Sequence, residues 1–265
     1  ELAPLFVHPG LSLLEFMHLG RVQERVHDMG DVRPHRRTCP GGVARAQRIQ
    51  DLCVLVLARN HASLAKALAR LHVAGESFQQ TRANSLSLSD WGPLAKAIGE
   101  RADTVIRGLS AEIGKELAYL DKAWPRDLPQ GVIHADLFPD NVFFLGQEVS
   151  GLIDFYFACN DMLAYDITIC LNAWCFESDA SFNITKARAF LQAYEGVRPL
   201  KANELAALPT LARGAALRFL LTRSYDWLNT DGEALVKRKD PNEYLRKLRF
   251  HRKVKSYRDY GLGEH

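Results

Sequence analysis

From residue 61 onward the apolar positions recur at helical spacing, and several of these runs have readable ends. Leu64, Ala67, Leu68 and Leu71 fall on one face and predict a helix closing near His72. Leu109, Ile113, Leu117 and Leu120 predict a second across 103–124, stopped by Pro125. Further helices are predicted over about 163–176, 185–195, 202–228 and 241–258. Asn203 is a candidate N-cap for the 202–228 helix, and Asp240-Pro241 has the form of a helix start. Between the helices the period changes. The runs at 131–134 and 142–145 are short and apolar, and Gly146-Gln147-Glu148 leads from the second into 149–156, a predicted hairpin. The expectation is a helical domain with a small β insert.

Residues 1–60 lack such a pattern. The stretch 21–50 mixes Arg, His, Pro and Gly, with neither alternation nor a helical stripe, and only 50–58 reads as a strand. It holds seven Arg against Glu24, Asp28 and Asp31, more than the whole net charge of +3. No aromatics are interleaved with these bases, so nucleic acid is not an expected partner. Hydrophobic residues make up 47% and charged residues 25%, the balance of a globular domain. No apolar run reaches the ~20 residues of a membrane span, and the first twenty residues lack a basic stretch ahead of an apolar one. The expected setting is cytoplasmic. The five cysteines, at 39, 53, 159, 170 and 175, form no Cys-x-x-Cys pair, which argues against a zinc site or a disulfide framework.

The chemistry concentrates in the β insert. His134-Ala-Asp136-Leu-Phe-Pro-Asp140-Asn141 is followed, thirteen residues after Asn141, by Asp154 in Leu-Ile-Asp-Phe. Phosphoryl transfer needs a carboxylate to receive a hydroxyl proton and Mg²⁺ to neutralise phosphate charge. A His-x-Asp-x-x-x-x-Asn loop supplies both, with Asp136 as base and Asn141 as a metal ligand. Asp154, on the returning strand of the hairpin, is the second metal ligand, in the manner of a kinase Asp-Phe-Gly with Tyr156 in place of the Gly. His134 is expected to bond the loop backbone, and Asp140 is a candidate Pro-Asp turn residue. Asp166 either buttresses the loop or serves a helix N-terminus. Arg213, Arg218, Arg223 and Asp226 are candidate pocket charges; as surface charges they are equally well explained.

GVIHADLFPDNVFF, GLIDFYFACNDMLAYDITICLNAWCFE and LARGAALRFLLTRSYDWL resemble the homoserine kinases of the aminoglycoside phosphotransferase/choline kinase superfamily, over about 62–262. The resemblance implies an α+β, protein-kinase-like bilobal fold, with a mainly helical C-terminal lobe over 62–265 carrying the hairpin. It implies ATP and Mg²⁺, with L-homoserine phosphorylated on its side-chain hydroxyl in threonine biosynthesis. Asp136 matches the family's base, and Asn141 and Asp154 its metal ligands. Tyr156, Arg218 and Arg223 are the substrate-side candidates. Other readings are an alcohol kinase of the choline or aminoglycoside type, and a pseudokinase.

The segment 1–61 departs from the family. The first lysine is Lys66, Pro40-Gly41-Gly42 is the nearest Gly cluster, and no strand pair brackets it. The expectation is a truncated or atypical remnant of the nucleotide-binding lobe that holds ATP poorly.

Overall fold

A helix over 60–75 (α1) opens the part of the chain described by the computed structural model, residues 60–230 and 238–263. The expectations for the 1–61 lobe, and for the strand at 50–58, lie outside the described residues. In α1, Lys66 and Arg70 lie one turn apart and face solvent, while Leu64, Ala65, Leu68, Ala69 and Leu71 are buried. The predicted stripe is the observed one.

The next helix, α2 (Leu88–Ile98), is absent from the sequence reading, because Pro93 inside it hides the pattern. Its start is well marked all the same: Ser87 is the N-cap, and Asp90 Oδ2 accepts the Ser87 N–H at 3.0 Å. The helix expected over 103–124 is two pieces. One turn, Ala102–Val105 (α3), ends where Ile106 becomes extended, and Gly108 at φ 79° starts Leu109–Ala123 (α4) afresh. A left-handed residue cannot continue a right-handed helix, and glycine takes it without cost.

Four strands follow. Gln130–Ile133 (β1) pairs antiparallel with Cys159–Met162 (β4), a partner the sequence did not announce. Val142–Leu145 (β2) and Glu148–Leu152 (β3) form the expected hairpin, turned at Gly146 and Gln147, with an irregularity between Phe143 and Phe144. The chain then enters the helical mass through Leu163–Trp174 (α5), Ile184–Glu195 (α6), Ala202–Asn229 (α7) and Pro241–His251 (α8). The cap of α7 is Lys201, whose N–H reaches the Glu204 carboxylate at 3.0 Å. Asn203 sits inside the helix instead of capping it, and its side chain turns to the Asp127 carbonyl. Asp240 does cap α8, accepting from Asn242 N–H, but the helix stops at His251, short of the expected 258.

Helix α7 is the axis of the fold, with α2, α5 and α8 packed around it. It is long and apolar enough to cross a membrane, yet most of that stretch is buried within this domain. Trp91, Trp124 and Tyr165 meet edge to face at 5.1 and 5.6 Å. Their rings close over Gly214 of α7, where a Cβ would lie 2.2 Å from a Trp124 ring carbon. Asn172 of α5 joins three helices: its amide donates to Thr168 O and Ala212 O, its Oδ1 meets His251 Nε2, and its backbone carbonyl accepts from Lys247. Cys159, Cys170 and Cys175 are buried free thiols that act as small apolar fillers.

Candidate active site

The loop between β1 and β2 is built from its own backbone outward. Ile133 ends β1, and Ala135 takes a left-handed conformation at φ 63°, which turns the chain sharply. Phe138 N–H then bonds Asp136 O at 2.9 Å, and Pro139–Asn141 forms a single 3₁₀ turn closed by Asn141 N–H on Phe138 O. The Asn141 amide nitrogen donates back to Asp136 O at 2.8 Å. That bond commits the nitrogen and leaves the Asn141 carbonyl oxygen as the end able to ligate a cation.

Asp154 is not on the returning strand, as the sequence reading has it. β3 ends at Leu152, and Asp154 is exposed, left-handed at φ 60° and ψ 59°, ahead of the turn Phe155–Phe157. Asp is among the few residues that adopt this conformation readily. What brings it to the loop is Ile153. Its N–H bonds Asn141 O at 3.0 Å, and its carbonyl accepts from His134 Nε2 at 2.9 Å. Both metal-ligand candidates are therefore stapled to one another through the residue between them and the loop. His134 is fully used, since its Nδ1 accepts the Asp136 N–H at 3.3 Å and its ring lies 4.6 Å from Phe155. Its expected structural part is what the geometry shows.

Asp166 has both of the parts left open for it. It lies in the first turn of α5, and its two carboxylate oxygens accept the N–H groups of His134 and Ala135 at 2.8 and 2.9 Å. His72 at the end of α1 bonds the same carboxylate at 3.2 Å and meets Tyr194 OH at 2.7 Å. Burial alone would push Asp166 upward, but these hydrogen bonds, His72 first, hold it below the usual carboxylate range. His72 escaped the sequence reading because it looks like a helix end. Trp174 Nε1 anchors the loop further on, at Leu137 O, 2.8 Å.

Burial raises Asp136 above the ordinary carboxylate range, with the Asp154 charge adding to it, while Arg218, His134 and Lys239 pull the other way. A raised pKa makes a carboxylate a stronger proton acceptor. Lys239 stands beside the loop, 3.9 Å from the exposed Asp140 and 5.3 Å from the Phe138 ring.

The helix α7 charges separate. Arg213 forms a fork with Glu116 at 2.6 and 3.0 Å, part of a network with Arg252 and Glu112. Arg223 is 8% exposed, bonds Glu243 at 2.6 Å and lies over the Tyr244 ring. Arg218, 1% exposed, donates to Ala135 O. Asp226 is exposed. Tyr156 is 71% exposed, its carbonyl held by Arg82 at 2.6 Å.

Hard divalent cations take oxygen ligands, and Mg²⁺ is commonly held by one or two protein oxygens beside phosphates and water. An exposed Asp154 carboxylate and a fixed Asn141 oxygen fit that requirement. No group of three His, Cys, Asp or Glu side chains converges on a metal site among the described residues.

The chain is also similar to known proteins. Over 202 residues it is 65% identical to a homoserine kinase of Bradyrhizobium sp. (strain ORS 278), and over 205 residues 63% identical to one of Azorhizobium caulinodans. These matches cover 76% and 77% of this chain, and the chain spans less than two thirds of either relative, 62% and 64%. In fold it is similar to a choline/ethanolamine kinase family protein of Mesorhizobium loti, with a TM-score of 0.56 at 14% identity, covering 76% of this chain and 64% of that one. The fold is thus α+β and protein-kinase-like. The sequence pattern of the phosphotransferase enzyme family matches residues 40–200, beginning upstream of 62, where the motif resemblance starts. With more than half of its length matched, the chain belongs to the phosphotransferase enzyme family.

Proposed function

We propose that the chain carries the catalytic lobe of an ATP-dependent, cytosolic kinase that phosphorylates the side-chain hydroxyl of L-homoserine. The supporting observation is the pair of hydrogen bonds that Ile153 makes with Asn141 and His134, which ties Asp154 to the loop that carries the half-buried Asp136 carboxylate and Asn141. The 65% identity to a homoserine kinase favours the acceptor.

In this reading Asp136 is the base. The acceptor hydroxyl gives its proton to the Asp136 carboxylate as its oxygen bonds to the γ-phosphorus of ATP, and the bond to the β-phosphate oxygen breaks to release ADP. Asn141 and Asp154 hold Mg²⁺, which supplies charge neutralisation on the phosphates when bound. His134 and Asp166 keep the loop in shape. Of the substrate-side candidates Tyr156 is the one open to solvent, while Arg223 is already paired with Glu243. Residues 62–265 form the catalytic and substrate-binding lobe, and 1–61 the remainder of a nucleotide lobe.

A coupled ATP-consumption assay with L-homoserine, choline and an aminoglycoside tests this. Turnover with L-homoserine well above the other two is expected. Turnover with choline or the aminoglycoside alone would replace the acceptor, and none with any alcohol would favour the pseudokinase.

A further inference from the structure

Arg218 is the most conspicuous side chain to which the proposed chemistry gives no contact with substrate or metal. It sits in the middle of α7, among the largest fully buried side chains of the protein. Burying a guanidinium costs heavily unless a carboxylate pairs with it. Among the described residues no carboxylate lies within ion-pair distance of it, and its Nε has no hydrogen-bond partner. The flanking groups are aromatic, with the Phe219 ring 4.6 Å and the Phe157 ring 5.7 Å from Cζ. A core residue chosen for stability would not be a cation here. What the cation does reach is the carbonyl oxygen of Ala135.

That carbonyl belongs to the peptide unit whose other end is the Asp136 N–H. The unit is gripped at both ends, its oxygen by Arg218 and its N–H by His134 Nδ1. Ala135 N–H is held in turn by Asp166. Ala135 is buried and left-handed, a conformation an alanine leaves when nothing retains it. The orientation of this one peptide sets the direction of the Asp136 Cα–Cβ bond, since rotation about it swings the side chain.

We propose that Arg218 is a positioning residue: its buried guanidinium fixes the Ala135 carbonyl and thereby aims the Asp136 carboxylate at the acceptor hydroxyl. It does not contact the substrate. Removal of the guanidinium leaves the Ala135 carbonyl buried without a donor, which the loop relieves by turning that peptide. A misaimed base loses rate rather than affinity, and displacements near 1 Å cost on the order of 10²-fold. The inference rests on Asp136 being the base.

The test compares Arg218→Met, which keeps the volume, with Arg218→Lys, which keeps one charged donor. Steady-state kinetics on the full chain read kcat and the KM for the alcohol separately. Hydrogen exchange by mass spectrometry reads the 134–141 amides without any substrate. Arg218→Met is expected to lower kcat by about 10²-fold, to leave the alcohol KM within about threefold (under half a decade of affinity), and to speed exchange in 134–141. Arg218→Lys is expected to recover part of the rate. A KM rise of tenfold or more with kcat preserved would make Arg218 a substrate ligand and overturn the proposal. Unchanged kcat and unchanged exchange would overturn it equally. If the wild type transfers no phosphoryl group, the kinase reading fails by itself, and the exchange arm still decides whether Arg218 holds the loop.

Discussion

Asn141 donates its side-chain amide to the backbone carbonyl of Asp136, at 2.8 Å, so the metal-ligand candidate and the base candidate are parts of one closed turn. The Asp136 carboxylate takes no part in that bond. Asp136→Asn therefore removes the proton acceptor and spares the turn. We expect phosphoryl transfer to fall by about 10²–10⁴-fold, the range of a general base, with the melting temperature near the wild-type value. Near wild-type turnover in the purified variant would remove Asp136 from the role.

Asp154 and Asn141 differ as ligands, one a charged oxygen and the other a neutral one. Asp154→Asn keeps a residue that tolerates the left-handed backbone at this position, so it isolates the charge. Magnesium-dependent nucleotide binding, followed by titration calorimetry, is expected to weaken more in Asp154→Asn than in Asn141→Ala. Equal or reversed losses would count against the assignment.

How much of this was readable beforehand varied with the physics of each element. The first strand and turn of the hairpin, the buried face of α1 and the start of α8 follow from local pattern and capping and are where the sequence puts them, whereas the returning strand stops at Leu152, short of the predicted 156. The family and the loop were readable because the chemistry demands a fixed order of residue types. Helix α2 was not, because Pro93 breaks the periodicity while Ser87 and Asp90 still start it. Nor was β4, whose four residues, Cys-Asn-Asp-Met, gain strand character only from the partner β1. In the site, His72 and the left-handed Ala135 owe their roles to contacts across 94 and 83 residues, with Asp166 and Arg218, which no local pattern carries.

Gly214 lies inside α7, where alanine would ordinarily add about 1 kcal/mol of helix stability. Here the Cβ would land 2.2 Å from the Trp124 ring and 2.9 Å from Trp91. Two indoles packed edge to face cannot yield that distance cheaply, so overpacking wins. Gly214→Ala is expected to destabilise by about 1–3 kcal/mol, lowering the melting temperature by roughly 2–4 °C per kcal/mol. A rise in melting temperature would show that the rings move aside.

His251 gives stability a pH dependence. Burial lowers its pKa from 6.5 to about 3, with the Lys247 and Arg213 charges adding, and its ring bonds Tyr260 OH and Asn172 Oδ1. The unfolded chain binds the proton that the folded chain refuses. The stabilisation is thus whole above pH 6.5 and is lost as pH falls toward 3. From pH 7 to pH 5 this one group is expected to cost about 2 kcal/mol. Urea melts across that range test it: the slope of unfolding free energy with pH should be shallower in His251→Asn, and an unchanged slope would place the effect elsewhere.

Among the described residues, the hydrogen bonds that tie the loop bearing Asp136 to the helices all run through its backbone atoms. The N–H groups of His134 and Ala135 rest on Asp166, the Leu137 carbonyl on Trp174, and the Ala135 carbonyl on Arg218. Anchors of this kind are blind to the side chains that line an acceptor pocket. Change in the pocket and conservation of the reaction can then proceed independently, and a lineage can exchange one alcohol for another without rebuilding the machinery that moves the phosphoryl group.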